Sequence, residues 1–151
     1  MAQRDFGDRF GFLVNEVGRL YGRRFDQLAR QQLGLSRAQC RLLGVVASYP
    51  ADRPPSQVEL AERLELTPMG VASLCTRMEA AGWVRRHASA DDRRVNLIRL
   101  QPRANAAIDA ALAIGDGLQA EALAGFAAAE RKQLVALLRR ARANLGEGGG
   151  Q

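Results

Sequence analysis

The side chains able to do chemistry in this chain are mostly guanidinium groups, and their spacing suits phosphate binding better than catalysis. Arg93 and Arg94 follow Asp91 and Asp92 in a short polar stretch, with Arg85 and Arg86 just upstream. Between Arg77 and Arg103 seven arginines stand against three acids, Glu79, Asp91 and Asp92, a local balance of +4. The whole chain carries 22 basic and 16 acidic residues, and Lys132 is the single lysine. A net charge of +6 and an isoelectric point near 10.5 favour a polyanionic partner.

Catalysis lacks its usual materials. His87 is the lone imidazole, and Cys40 and Cys75 lie 35 residues apart with no CxxC or HExxH spacing. Zinc would lack ligands, and a disulfide framework is not expected. No Gly-rich phosphate loop or GxSxG elbow occurs. We therefore expect no catalytic residue, no metal, no cofactor and no enzyme activity. Both cysteines fall on apolar helical stripes, which suits small core residues, and His87 has no partner with which to hold a metal.

The elements that must position these arginines are mostly helical. Length fits one domain, 1–151, and aromatic residues are only 5%, with alanine and leucine abundant. Phe6, Phe10, Leu13, Val14, Val17, Leu20, Tyr21, Phe25 and Leu28 recur at helical steps and predict a helix over 6–30, stopped by Gly34. Ser36-x-x-Gln39 has the form of a capping box, opening a helix to about Tyr49 with Cys40, Leu43, Val46 and Ala47 inward. After Pro50, Pro54 and Pro55, a second box, Ser56-x-x-Glu59, opens a short helix carrying Val58, Leu60, Ala61 and Leu64. Thr67 caps the next, with Pro68 in its first position and Val71, Leu74, Cys75 and Met78 on one face, ending at Gly82.

Two capped helices joined by a tight turn form a helix-turn-helix pattern. Two short strands follow, 83–88 and 95–100, with Ile98 and Leu100 alternating about Arg99. An arginine-tipped hairpin directly after a helix-turn-helix is a wing. A further helix runs from Ala104 to about Phe126, which Gly115 and Gly117 should weaken or bend, and a last one covers 128–145. Residues 146–151, GEGGGQ, are expected to be a disordered tail. The fold class expected is mainly α with a small β-wing: about six helices, a two- to three-stranded antiparallel wing, and a winged helix-turn-helix embedded in an all-helical dimer. The lobe would span 34–103, with 1–33 and 104–145 as dimerisation helices. No apolar run suits a bilayer, and the charged N-terminus has no secretory stretch, so a soluble cytoplasmic protein without a membrane partner is expected.

The order of elements over about 10–145 resembles the multiple-antibiotic-resistance regulator (MarR) family. The likeness rests on Leu33 to Gln39, on Leu60 to Thr67 continuing through Arg77 to Arg86, and above all on Asp92-x-Arg94 followed by Leu97, Ile98 and Leu100. That last stretch is similar to the family's wing signature, in which the aspartate braces an arginine that enters the minor groove. Gln101 and Ala104 depart from it, standing where the family commonly has threonine and glycine; Ala127 to Glu130 replaces a serine cap.

The resemblance implies a transcription regulator, a repressor in the simplest case, binding a near-palindromic operator in double-stranded DNA as a homodimer. On the helix that would enter the major groove, Thr67, Met69, Gly70, Ser73, Thr76 and Arg77 face away from the core. Arg93 and Arg94 would reach the minor groove, with Asp92 as brace. Arg85 and Arg86 suit phosphates, and Ser56 and Gln57 stand at a helix N-terminus, another phosphate-binding position. The family also implies a small aromatic or phenolic effector, with Phe10, Val14, Tyr21, Arg24 and Leu43 as candidate contacts or, equally, as helix core. Its peroxide-sensing branch keeps a reactive cysteine in the first helix, and residues 1–39 here hold none. The alternative function is a winged-helix module that joins proteins without touching DNA, although a protein-binding wing has no need of paired arginines at its tip.

Overall fold

Capping chemistry and helical periodicity account for six helices among the described residues. The computed structural model describes residues 1–146; the tail expectation for 147–151 lies outside them. Helix α1 (Phe10–Leu33) starts later than its apolar pattern. Gly7 donates its N–H to the Asp5 carboxylate at 2.9 Å, and this local turn, with glycine's poor helix propensity, displaces the first helical turn. Gly34 adopts the left-handed conformation at φ 67° and closes the helix.

Both capping boxes form. Ser36 Oγ accepts from Gln39 N–H while Gln39 Oε1 accepts from Ser36 N–H, opening α2 (Arg37–Ala47). Ser56 and Glu59 do the same at α3 (Gln57–Leu64). Helix α2 stops before Tyr49 because Pro50 disfavours helical backbone in the residue ahead of it. Cys40, Leu43 and Val46 are buried as expected, but Ala47 is exposed and Leu42 is fully buried. Helix α2 packs against α1, against α3 and against the wing, so its apolar face is wider than one stripe. Val58 also differs from expectation: it is exposed, because it lies two positions before Leu60, roughly 200° around a helix.

Glu65 ends α3 in the left-handed region, and Thr67 Oγ1 then accepts from Gly70 N–H at 3.0 Å to cap α4 (Pro68–Ala80). Val71, Leu74, Cys75 and Met78 are all buried. Strands β1 (Val84–Ala88) and β2 (Asn96–Leu100) pair antiparallel, from Val84 opposite Leu100 to Ala88 opposite Asn96. The free edge of β2 receives one bridge from the segment before α3: Ser56 pairs with Leu97, and Ile98 donates to the Pro55 carbonyl at 2.9 Å. The wing is thus two-stranded with a single additional bridge.

Helix α5 (Ala104–Ala122) continues through Gly115 and Gly117. It ends short of Phe126, and Gly125 takes φ 83° just beyond it. Helix α6 (Ala128–Gly146) includes Gly146 and starts on half a capping box, with Ala127 N–H donating to Glu130 Oε1 at 2.8 Å. The chain forms two compact units, 1–116 and 117 onward, divided within α5. In the first, Leu42, Leu43, Leu60, Met78, Ile98, Val71, Val84, Pro55 and Cys75 form the sealed core. No helix among the described residues is long and apolar enough to cross a membrane.

The Ser56 cap holds the first turn of α3 against β2, so its loss should be measurable. Ser56→Ala is expected to destabilise the fold by about 1 kcal/mol, seen as a lower urea midpoint with an unchanged denaturant slope.

Candidate nucleic-acid interface

The outward side of α4 opposes the buried stripe by helical geometry alone. Met69 is 83% exposed. Ser73, Thr76 and Arg77 are exposed, and Gly70 is half-buried. A Cβ on Gly70 would sit 3.1 Å from Thr67 Oγ1, so the glycine both keeps the surface low and leaves room for the cap. The Thr76 hydroxyl donates to the Ala72 carbonyl at 2.9 Å, leaving its oxygen as an acceptor. Among the described residues the Arg77 side chain makes no hydrogen bond or ion pair.

The wing tip is a built bracket. Ser89 donates to the Val95 carbonyl at 2.8 Å and Val95 to the Asp92 carbonyl at 3.0 Å, closing the turn. Asp92 accepts three bonds from Arg94: backbone N–H at 3.0 Å, Nε at 3.1 Å and Nη2 at 3.1 Å. The Arg94 side chain keeps 92% exposure while its plane is fixed by a two-pronged carboxylate contact. These bonds, the side-chain ones foremost, hold the Asp92 carboxyl below the usual carboxylate range. Arg93 beside it is exposed.

Arg85 and Arg86 part company. Arg85 points to solvent, directly opposite Arg99 across the ladder. Arg86 turns inward: its backbone N–H donates to Glu79 Oε2 at 2.6 Å, its Nε and Nη2 to Glu79 Oε1 at 3.3 Å, and its Nη1 to Gln57 Oε1 at 3.4 Å. Its guanidinium is thereby committed to tying α3 and α4 to β1, and the Gln57 side chain is committed with it. Ser56, likewise, spends its hydroxyl on the cap. Glu79 lies below the ordinary carboxylate value because of the Arg86 backbone N–H first and the Arg86 side chain second.

Two residues carry roles that the sequence pattern did not reveal. Arg99 donates Nε to His87 Nε2 at 3.0 Å and Nη1 to the Ala51 carbonyl at 2.7 Å, fastening the wing to the proline-rich connection and giving His87 a structural role. Arg103 lies 3.8 Å above the Trp83 ring and donates Nη1 to the Ala81 carbonyl at 2.6 Å. A cation over an aromatic ring has no fixed sequence spacing, so only the fold brings these together. Both cysteines are free and buried; desolvation pushes the Cys75 thiol up to about 11 and raises Cys40 as well, which disfavours the reactive thiolate. Among the candidate effector contacts, Phe10, Val14, Tyr21 and Arg24 are exposed on α1, whereas Leu43 is 1% exposed and belongs to the core.

A model of the MarR family matches residues 33–95, from the end of α1 to the wing tip. The transcriptional regulator HosA of Escherichia coli O157:H7 is 35% identical over 91 residues, 60% of this chain and 67% of HosA. The crystal structure of transcriptional regulator PA3341 is 32% identical, with a TM-score of 0.75 over 91% of this chain and 98% of its own. The fold is also that of Bordetella bronchiseptica BpsR, 22% identical with a TM-score of 0.74 over 92% and 96% of the two chains; that structure concerns regulation of BpsR's DNA binding by 6-hydroxynicotinic acid.

The Glu79–Arg86 contact makes stability depend on acid. A carboxylate depressed in the folded state contributes fully above its ordinary value of 4.5 and loses that contribution as pH falls through the lower folded value. Glu79→Gln should therefore lower the urea midpoint at neutral pH and flatten its decline below about pH 4.5, followed by far-ultraviolet circular dichroism.

Proposed function

Since the chain belongs to the MarR family of transcription regulators, we propose that it is a cytoplasmic repressor that binds a near-palindromic operator in double-stranded DNA as a homodimer. The observation that carries this reading is the Asp92–Arg94 bracket: an exposed guanidinium, oriented by a carboxylate, at the tip of a wing beside α4. A narrow minor groove concentrates phosphate potential, and a pre-oriented arginine enters it with little ordering left to undergo. Residues 34–103 form the reading lobe. Helix α4 enters the major groove with Met69, Gly70, Ser73, Thr76 and Arg77 toward the bases, and Thr67 at its N-terminus. Arg85, Arg93 and the α3 N-terminus at Gln57 meet phosphates, the last through its backbone N–H group, whereas the Ser56 N–H is held by Glu59.

The dimer joins residues 1–33 and 104–145. Helix α1 leaves Phe10, Leu13, Val14, Val17 and Leu20 exposed, and among the described residues α6 buries none while Leu137, Leu138 and Leu145 face outward. A monomer rarely tolerates so much exposed apolar surface on its helices, and a second copy covers it. A small aromatic or phenolic effector releases the DNA, with Phe10, Val14, Tyr21 and Arg24 as its contacts; BpsR's response to 6-hydroxynicotinic acid supports this kind of control.

Two measurements test the reading. Light scattering at micromolar concentration should give a dimer, and a stable monomer would remove the two-half-site model. In fluorescence anisotropy across several salt concentrations, Arg94→Ala should lose on the order of tenfold in affinity, with a salt slope shallower by about one. Asp92→Ala should lose less, since the arginine remains, and Arg77→Ala should relax base preference. If Arg94→Ala leaves both affinity and slope unchanged, the wing does not meet DNA and a protein-joining role is preferred.

A further inference from the structure

The end of α4 and the start of α5 are bound together by a single side chain. After α4 closes, Ala81, Gly82 and Trp83 turn the chain into β1. The Ala81 N–H closes on the Arg77 carbonyl, Gly82 on Glu79 and Trp83 on Met78. Gly82 takes φ 78° here, and a Cβ on it would lie 3.8 Å from Arg103 Nη1 and 3.9 Å from its Cδ. Arg103 covers the turn, donates to the Ala81 carbonyl and stacks on Trp83. Its positive charge also sits at the negative end of the α4 dipole. The neighbouring Gln101 donates N–H to the Trp83 carbonyl at 2.9 Å, and Ala104, the first residue of α5, is completely buried.

We propose that Arg103 is a positioning residue for DNA reading, acting through Ala81 and Trp83 to fix the recognition helix α4 against the start of α5. The inference rests on the DNA-binding reading above and adds a residue that touches no DNA. In a dimer that reads two half-sites, α5 belongs to the part that sets the spacing and α4 to the part that reads. A rigid clamp between them makes the spacing and tilt of the two α4 helices follow the dimer. A guanidinium suits this task because it offers a planar face to the indole and an N–H to the carbonyl at the same time.

The test uses the full chain and a duplex enriched by the parent protein from a randomised pool. Arg103→Ala should weaken binding about three- to tenfold, within the range for couplings carried through packed contacts, while its salt slope stays that of the parent. Arg103→Lys, which keeps a cation over the ring, should recover part of the loss. Trp83 is the only tryptophan, so its emission should change in Arg103→Ala and return toward the parent in Arg103→Lys. Trp83→Leu, which removes the ring and leaves the carbonyl contact, should weaken binding by a smaller factor and covers the case in which Arg103→Ala does not fold. A slope shallower by about one in Arg103→Ala would make Arg103 a phosphate contact and overturn the proposal. So would parent-like binding by Arg103→Ala while Arg94→Ala is weakened. Parent-like binding by both variants would overturn the DNA reading itself.

Discussion

The guanidinium of Arg86 is where α3, α4 and β1 meet. It draws the Glu79 carboxylate of α4 and the Gln57 amide of α3 onto β1, while its own backbone N–H completes the grip on Glu79. Below this polar tie lie Met78, Cys75 and Val84, all sealed from water. The apolar core supplies the bulk of the cohesion but is indifferent to small rotations of one helix on another. The hydrogen bonds are directional, and they fix the angle between α4 and the hairpin beside it. Every surface argued to meet DNA inherits its orientation from that angle.

The arginines divide into those whose guanidinium is used inside the protein and those left for a partner. Arg86, Arg99 and Arg103 each bond carbonyl, carboxylate, amide or imidazole groups of neighbouring elements. Arg85 and Arg93 face solvent, and Arg94 is exposed but aimed by Asp92. Arg85 and Arg99 stand opposite one another across the two strands, an arrangement of like charges that costs energy in a bare hairpin. Binding of Arg99 to the Ala51 carbonyl and to His87 relieves part of this, and a phosphate near Arg85 would relieve the rest.

The helices outside the lobe follow a different logic. Arg19 and Glu16 on α1 make a long, exposed contact of little energetic weight, whereas the aromatic and aliphatic side chains along the same helix remain uncovered. An amphipathic helix is normally held by burial of its apolar stripe rather than by propensity or surface ion pairs. The stripe of α1 therefore calls for a second surface, which the proposed association of two copies would supply.

Much of this architecture is local and therefore readable in the sequence. The boxes Ser36–Gln39 and Ser56–Glu59, the Thr67–Pro68 start, the Gly34 and Gly82 stops and the alternation about Arg99 each act within a few residues, and each formed as its chemistry dictates. The Asp92–Arg94 bracket belongs to the same class, since its partners are two residues apart. What tertiary structure decided was the fate of side chains whose partners lie far along the chain. Arg86 and Arg85 are indistinguishable as neighbours in sequence, yet strand alternation and the position of Glu79 turn one inward and leave the other in water. Leu42 and Leu43 are both buried only because α2 is packed on more than one side, whereas Val58 lies on the one face of α3 that no other element covers. Arg103 reached Trp83, and Arg99 reached Ala51, across 20 and 48 residues. Local sequence sets caps, periods and turns; which charged groups are used internally depends on what the packed helices bring alongside them.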